Sequence, residues 1–247
     1  MATAAQTSKP SLEGFLGAVG LAGIAGWVDA VAYLVLHAFV ANMTGAVVLM
    51  GLAAGELDGH GMARQGLLVL AFLLGVVLSR LLRRMGWGPA PSYLLAAGTV
   101  LACMGLPDAG PPAAALLAVA MGLQNAAATV FGGIGLNTVF LTGNLQRLGE
   151  NLADPVKPGT HRRFALGLLP TVLLAYAAGA CGGGLAMRHL AQPLLPSVLA
   201  LAAAAVAALL RARSGRETAT SSPGAASPTL TTAAVTPAAP AGRTPPR

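Results

Sequence analysis

Apolar residues run along this chain in blocks long enough to cross a bilayer, separated by short polar or basic connections. The blocks cover residues 15–38, 66–82, 91–106, 112–132, 164–187 and 193–210, several of them at the short end of the ~17 to 25 residues a spanning helix needs. Each is expected to form one transmembrane helix, six in all. Two further blocks, 39–55 and 137–153, are only half apolar and carry Asn42, Thr44, Asn137, Thr138, Thr142, Asn144, Gln146, Arg147 and Glu150. Whether these two cross is the question the hydropathy pattern leaves open.

Charge answers it, because Lys and Arg gather in short loops on the cytoplasmic side. If neither block crosses and the N-terminus is inside, the cytoplasmic side holds Lys9, Arg80, Arg83, Arg84, Arg147, Lys157, Arg162, Arg163, Arg211, Arg213 and Arg216, with Arg64 and Arg188 outside. If both cross, Arg80, Arg83 and Arg84 move outside with Arg188, and Arg147 is drawn into the membrane edge. Six spans is therefore the expected count, with both termini cytoplasmic. Trp87 and Tyr93 follow the Arg80 to Arg84 cluster, where an aromatic belt would mark the cytoplasmic interface.

Composition agrees with lipid as the solvent. Hydrophobic residues make up 55% of the 247 residues and charged ones 9%, with a mean hydropathy of +0.70, a balance that leaves too little polar surface for a water-soluble domain. The net charge of +7 sits between apolar blocks rather than on a soluble face, so it sets topology and does not indicate nucleic acid. Cys103 and Cys181 stand alone in apolar stretches, which supports neither a disulfide framework nor a metal site. The first apolar block is too long, and too weakly basic in front, for a cleaved signal peptide. The expected organisation is a cytoplasmic tail over 1–14, membrane units over 15–110 and 111–213, and a Ser/Thr/Pro/Ala-rich disordered tail over 214–247. The expected location is a bacterial inner membrane, where such short helices suit a homodimer.

The two membrane units echo one another. Gly26-Trp27-Val28-Asp29-Ala30 is followed by Met43-Thr44-Gly45 and Leu49-Met50-Gly51; Gly122-Leu123-Gln124-Asn125-Ala126 is followed by Leu141-Thr142-Gly143 and Arg147-Leu148-Gly149. The offset is 96 residues at the first element and 98 at the later two, which a two-residue insertion in a turn over 132–137 reconciles. Three spans per unit is an odd number, so the second unit enters the membrane from the opposite side. The expected fold is an all-α membrane protein with a three-plus-three inverted repeat, its Thr-Gly segments forming half-helices or re-entrant pieces as in several transporters.

Candidate chemistry follows from the polar residues at membrane depth. Asp29 lies well inside the first span, where a charge costs at least ~2.5 to 3.5 kcal/mol. Small residues share its helical face, Ala22, Ala25, Gly26 and Ala32 with Tyr33 and Leu36, while Trp27, Val31 and Leu34 point the other way. Two readings stand side by side: a proton or cation site, or a carboxylate that caps a half-helix or pairs with a polar neighbour. Gln124 and Asn125 take its place in the second unit, as solute ligands or as amides tying helices together. Thr44-Gly45 and Thr142-Gly143-Asn144 offer a hydroxyl and backbone amides to a ligand, or let helices approach closely. His37 is a candidate proton partner of Asp29; His60, His161 and His189 have no second ligand at i+3 or i+4. Gly182-Gly183-Gly184 is expected to break the fifth span, and it and the glycines at every third position from Gly14 to Gly26 read as close packing or a flexible hinge, packing being the commoner cause. No nucleophile elbow, phosphate loop, zinc motif or dinucleotide fingerprint occurs, so neither enzyme nor cofactor chemistry is expected.

These motifs in this order, from Gly-Trp-Val-Asp-Ala to Leu-Thr-Gly-Asn-Leu and Gly-Glu-Asn-Leu-Ala, resemble the YoaK family of bacterial membrane proteins, a domain of unknown function. The likeness covers about residues 15–210. It implies a small inner-membrane protein without naming a substrate. In that family the first Thr-Gly is commonly followed by Asn; here the residue is Ala46, while Asn144 keeps the amide in the second unit. The functional expectation is a secondary transporter or permease for a small solute, with a proton or cation as partner. Its site would lie between Asp29 and Gln124-Asn125, with the Thr-Gly segments around it. The alternative is a non-transporting scaffold or assembly factor whose polar residues only hold helices together.

Overall fold

In the computed structural model, residues 10–104, 110–139, 141–153 and 160–220 are described. The order of elements is α1 (Leu12–Leu36), α2 (Met43–Gly55), α3 (Gly59–Arg84), α4 (Ala90–Met104), α5 (Pro111–Ala127), a two-stranded ribbon of β1 (Val130–Phe131) and β2 (Ile134–Gly135), α6 (Leu141–Ala153), α7 (Thr160–His189) and α8 (Leu195–Thr220). The protein is an all-α membrane protein apart from that ribbon. Among the described residues four helices, α1, α3, α7 and residues 195–214 of α8, are long and apolar enough to cross a bilayer.

The two ambiguous blocks became α2 and α6, each 13 residues. At 1.5 Å per residue such a helix is roughly 20 Å long, short of the ~30 Å hydrocarbon core. Several boundaries differ from expectation. The fourth block does not stay helical to residue 132: α5 ends at Ala127, and Val130 pairs with Gly135 around a turn in which Gly132 and Gly133 have φ of 56° and 82°. Positive φ at both central positions is what a two-residue hairpin of this hand requires, and glycine adopts it without penalty. The fifth block is unbroken, because α7 runs straight through Gly182-Gly183-Gly184. A methyl at Gly182 would come within 2.7 Å of the Trp27 ring, and one at Gly183 within 2.6 Å of the Trp27 carbonyl. These glycines make room for a tryptophan rather than a hinge. Residues 214–220, assigned to the disordered tail, continue α8; the remainder of that tail, like residues 1–9, lies outside the described residues.

Two helix pairs dominate the packing, α1 along α7 and α3 along α5. Both cross where glycine removes the side chain, so backbone meets backbone. A methyl at Gly26 would strike the Tyr176 carbonyl and one at Gly179 the Gly23 carbonyl; likewise Gly122 faces the Phe72 carbonyl and Gly75 the Val119 carbonyl. In lipid, where tails are as apolar as leucine, such close approach is a main source of helix association. Residues 120–127 of α5 form an unbroken buried run at the centre. By contrast, Leu70, Leu73 and Leu74 on α3, Leu174 on α7, and Leu199, Val206 and Leu210 on α8 are exposed, as lipid-facing surface should be.

Side-chain bonds tie element ends together. Glu13 at the start of α1 pairs with Arg211, near the end of the apolar part of α8, at 3.2 Å, and Arg83 at the end of α3 donates to the Ala127 carbonyl at the end of α5 at 2.8 Å. The ribbon packs back on α1, where Gly14 lies against the Gly132 backbone. The start of α1 therefore lies with the ends of α3, α5 and α8. Elsewhere Trp27 donates its indole N–H to the Pro193 carbonyl between α7 and α8 at 2.7 Å. Of the residues expected to face away from the core, Leu34 is exposed, whereas Trp27 is half-buried and Val31 buried: the far side of α1 is covered in part.

Candidate functional site

The site begins where α1 ends. His37 adopts the left-handed conformation, with φ of 47°, and its N–H closes the helix on the Tyr33 carbonyl at 2.9 Å. The chain then doubles back, burying Ala38, Val40 and Ala41, and its backbone amides need acceptors where water is absent. Asp29 supplies them. One carboxylate oxygen accepts from Val40 N at 2.8 Å and Ala41 N at 2.7 Å, and the other from Asn42 N at 2.9 Å and from the Tyr176 hydroxyl. Asp29 is 3% exposed, and four donors occupy the roughly four lone-pair positions a carboxylate offers. Of the two sequence readings, this geometry is that of the capping carboxylate, set at the positive end of α2 where a negative charge is favoured.

Asn42 then starts α2, its side-chain oxygen accepting from Gly45 N at 3.2 Å. Gly45 is required there, since a methyl would meet the Phe39 ring at 2.7 Å. In this way the sequence Asp29, Asn42, Thr44-Gly45 aims the N-terminus of α2 into the interior. The start of α6 lies near it. Between them lies a cavity of about 340 Å3, lined by Asn42, Thr44, Gly45, Val139, Thr142 and Tyr176 among others. The structure thus brings Thr44, Gly45 and Thr142 together, and Asp29 is joined to the cavity wall through the Asn42 amide and the Tyr176 hydroxyl.

Other expected members stand apart from it. Gln124 is fully buried and donates to the Leu21 carbonyl on α1 at 2.8 Å; it ties α5 to α1, about two turns from Asp29. Asn125 is 8% exposed, and its side-chain oxygen has no hydrogen-bond partner among the described residues. Neither lines the cavity described above. His37 is exposed, its ring set edge-on to Tyr33 at 6.3 Å. The side chain that completes Asp29 is Tyr176, and the position expected for His37 is filled by it. Among the described residues no three His, Cys, Asp or Glu side chains are grouped to hold a metal.

Gly143 and Asn144 line a second cavity of about 270 Å3, with Thr129, Asn137 and Arg147. Asn144 is buried and donates to the Asn137 carbonyl at 2.7 Å, fixing the approach to α6. Tyr176, Asn42 and Arg147 are the site residues that sequence reasoning passed over. Asn42 was detectable as a helix-capping residue directly before Met43-Thr44-Gly45. Tyr176 carried no signal beyond the general one that an intramembrane carboxylate needs a partner.

The comparisons with known proteins agree with this picture at the level of family. The chain is 33% identical over 141 residues to the UPF0700 transmembrane protein YoaK of Bacillus subtilis (strain 168). The match covers 52% of this chain and 63% of that relative, less than two thirds of the relative's length. No solved structure matches. The family model described as a protein of unknown function, DUF1275, matches residues 17–210, which takes in both half-length helices and every residue lining the cavity between them; the chain belongs to that family of membrane proteins.

Proposed function

We propose that this protein is a permease for a small solute, built as an inverted repeat of two three-span units that hold the solute between the N-termini of α2 and α6. The observation that carries this reading is the reciprocity of the two helix crossings. Gly26 and Gly122 are 96 positions apart, as are Gly23 and Val119, while Phe72 and Tyr176 are 104 apart, as are Gly75 and Gly179. Each contact in one crossing therefore has its counterpart in the other with the units exchanged. That is the signature of a pseudo-twofold relation, and packing of unrelated helices has no reason to produce it.

The ties between element ends support six crossings. With the start of α1 beside the ends of α3, α5 and α8, α2 and α6 must each leave and re-enter on the same side. Odd spans per unit then invert the second unit, and two half-helix N-termini meet at depth with their amides turned to one cavity. Broken helices of this kind bind solutes in known transporter folds, and irregular backbone at membrane depth is tolerated where it lines a cavity. Asp29 acts here as the residue that holds α2 in place.

A second reading, the scaffold, has one observation in its favour: Asp29 is saturated by its own protein. The two readings part on solvent access. Single cysteines at Thr44 and Thr142, in a chain with Cys103 and Cys181 replaced by alanine, are to be treated in membranes with an impermeant maleimide from each face. A permease that alternates its access exposes both positions to both faces. Labelling from neither face, or from one only, favours the scaffold.

A further inference from the structure

We infer that the slot between the start of α1 and the end of the apolar part of α8 binds an anionic phospholipid, with one acyl chain along it and the headgroup at its mouth. The site is independent of the permease reading, since no residue lining it lines the cavity between α2 and α6. It encloses about 620 Å3, within the ~300–1,000 Å3 of ordinary ligand pockets. Gly17 and Gly20 on α1, Ala200, Ala204 and Ala207 on α8, and Tyr93 on α4 line it. Small residues at this density normally let two spans close on each other. Here they do not: a side chain at Gly20 would meet nothing within 4 Å, and one at Gly17 only the Phe131 ring, at 3.8 Å.

The group that points to a ligand is Tyr93. It is 5% exposed and lines the slot, and its hydroxyl has no hydrogen-bond partner among the described residues. Buried tyrosine and tryptophan polar atoms ordinarily find a partner, and elsewhere in this chain they do. The Tyr176 hydroxyl donates to Asp29 and the Trp27 N–H to the Pro193 carbonyl, while Tyr33 and Trp87 are exposed. Even Ser92, next to Tyr93 on α4, is bonded to Ser79.

The surroundings of Tyr93 set the chemistry of the occupant. Arg211 lines the same slot, its Nε 3.2 Å from the Glu13 carboxylate, and a guanidinium carries five N–H donors, more than one carboxylate takes up. Arg83 and Arg211 both lie within electrostatic reach of the Tyr93 hydroxyl, two positive charges against the single negative one of Glu13. From Ala200 to Arg211 the helix rises roughly 16 Å, about half the ~30 Å hydrocarbon core. The slot therefore has the depth of one leaflet, apolar along its length and cationic at the face where α1 begins. Exposed Leu16 also lines it, so one side is open to lipid. An acyl chain suits the apolar length, and phosphate and ester oxygens suit the phenol and guanidinium, as in basic pockets between spans that hold anionic headgroups. A helix of a second copy would bring backbone groups already bonded within it, leaving the phenol without an acceptor.

The test is native mass spectrometry of the full chain released from detergent, titrated with phosphatidylglycerol or phosphatidylcholine of the same acyl chains. A single phosphatidylglycerol per chain should be retained at a concentration about tenfold below that needed for phosphatidylcholine, the size of one hydrogen bond to a charged group. Tyr93→Phe and Arg211→Gln should each weaken that retention about tenfold, and Gly20→Leu, which puts a side chain into the slot, should weaken both lipids. Glu13→Gln breaks the same ion pair as Arg211→Gln but keeps the guanidinium, and should retain phosphatidylglycerol as well as the parent does. Since the Tyr93 hydroxyl has no bond to lose in the lipid-free protein, Tyr93→Phe should unfold in detergent at the parent's temperature. Equal retention of the two lipids, unchanged retention in Tyr93→Phe, a lowered unfolding temperature in that variant, or a lipid-free dimer in the same spectra overturns the inference.

Discussion

The hydroxyl of Tyr176 on α7 donates to the carboxylate of Asp29 on α1, the same carboxylate that caps the start of α2. One acid therefore joins three elements, and its loss strands three backbone amides and a phenol. Each unsatisfied buried group costs about 1–3 kcal/mol, so Asp29→Ala, which strands four donors, should lose at least ~4 kcal/mol. Tyr176→Phe should lose about 1–3 kcal/mol, and the double variant should fall short of the sum, because the pair shares one interaction. Reversible unfolding in detergent measures all three; an Asp29→Ala protein as stable as the parent contradicts the capping role.

The reciprocal crossings predict matched penalties. Gly26→Ala and Gly122→Ala each drive a methyl into a carbonyl of the facing helix, which forces the helices apart at a typical overpacking cost of about 1–3 kcal/mol. Gly20 has nothing within 4 Å of its missing side chain, and Gly20→Ala should be neutral or gain up to ~1 kcal/mol from helix propensity. Equal stability of all three variants, by the same unfolding measurement, removes the crossings from the account.

Trp27 offers an optical check on the α7 to α8 connection. Its indole N–H is bonded to Pro193, so Trp27→Phe should lose about 0.5–1.5 kcal/mol, the net value of one hydrogen bond. The chain has two tryptophans and Trp87 is 55% exposed; in Trp87→Phe the remaining emission should be blue-shifted relative to the parent. A red-shifted spectrum, or no loss of stability in Trp27→Phe, contradicts the burial and the bond.

Much of this architecture was legible because hydropathy and charge act over whole segments. The half-apolar blocks 39–55 and 137–153 gave α2 and α6 within a few residues, and the acid in the first span pointed to the residue around which the α1 to α2 turn is built. What stayed hidden depends on pairs distant in sequence. Gly182-Gly183-Gly184 reads as a break until Trp27 is known to press on it. Tyr176 is one aromatic among apolar neighbours until α7 is laid along α1, 147 positions from its partner. Gln124 and Asn125 were grouped with Asp29 through the sequence repeat, but a matching position in a repeat is not an adjacent one; Gln124 reaches Leu21 instead. Arg147 was counted only as a topological charge, since nothing local to α6 tells that its neighbours leave it a cavity.

The most direct test of the inverted arrangement is the sidedness of the two half-length helices at their outer ends. Leu57, 91% exposed, follows α2, and Leu152, 64% exposed, closes α6. Single cysteines at these positions, probed with an impermeant maleimide in intact cells and in inverted membranes, should react from opposite faces, Leu57→Cys from outside and Leu152→Cys from the cytoplasm. Reaction of both from the same face would mean that the units run parallel, and the meeting of α2 with α6 would lose its explanation.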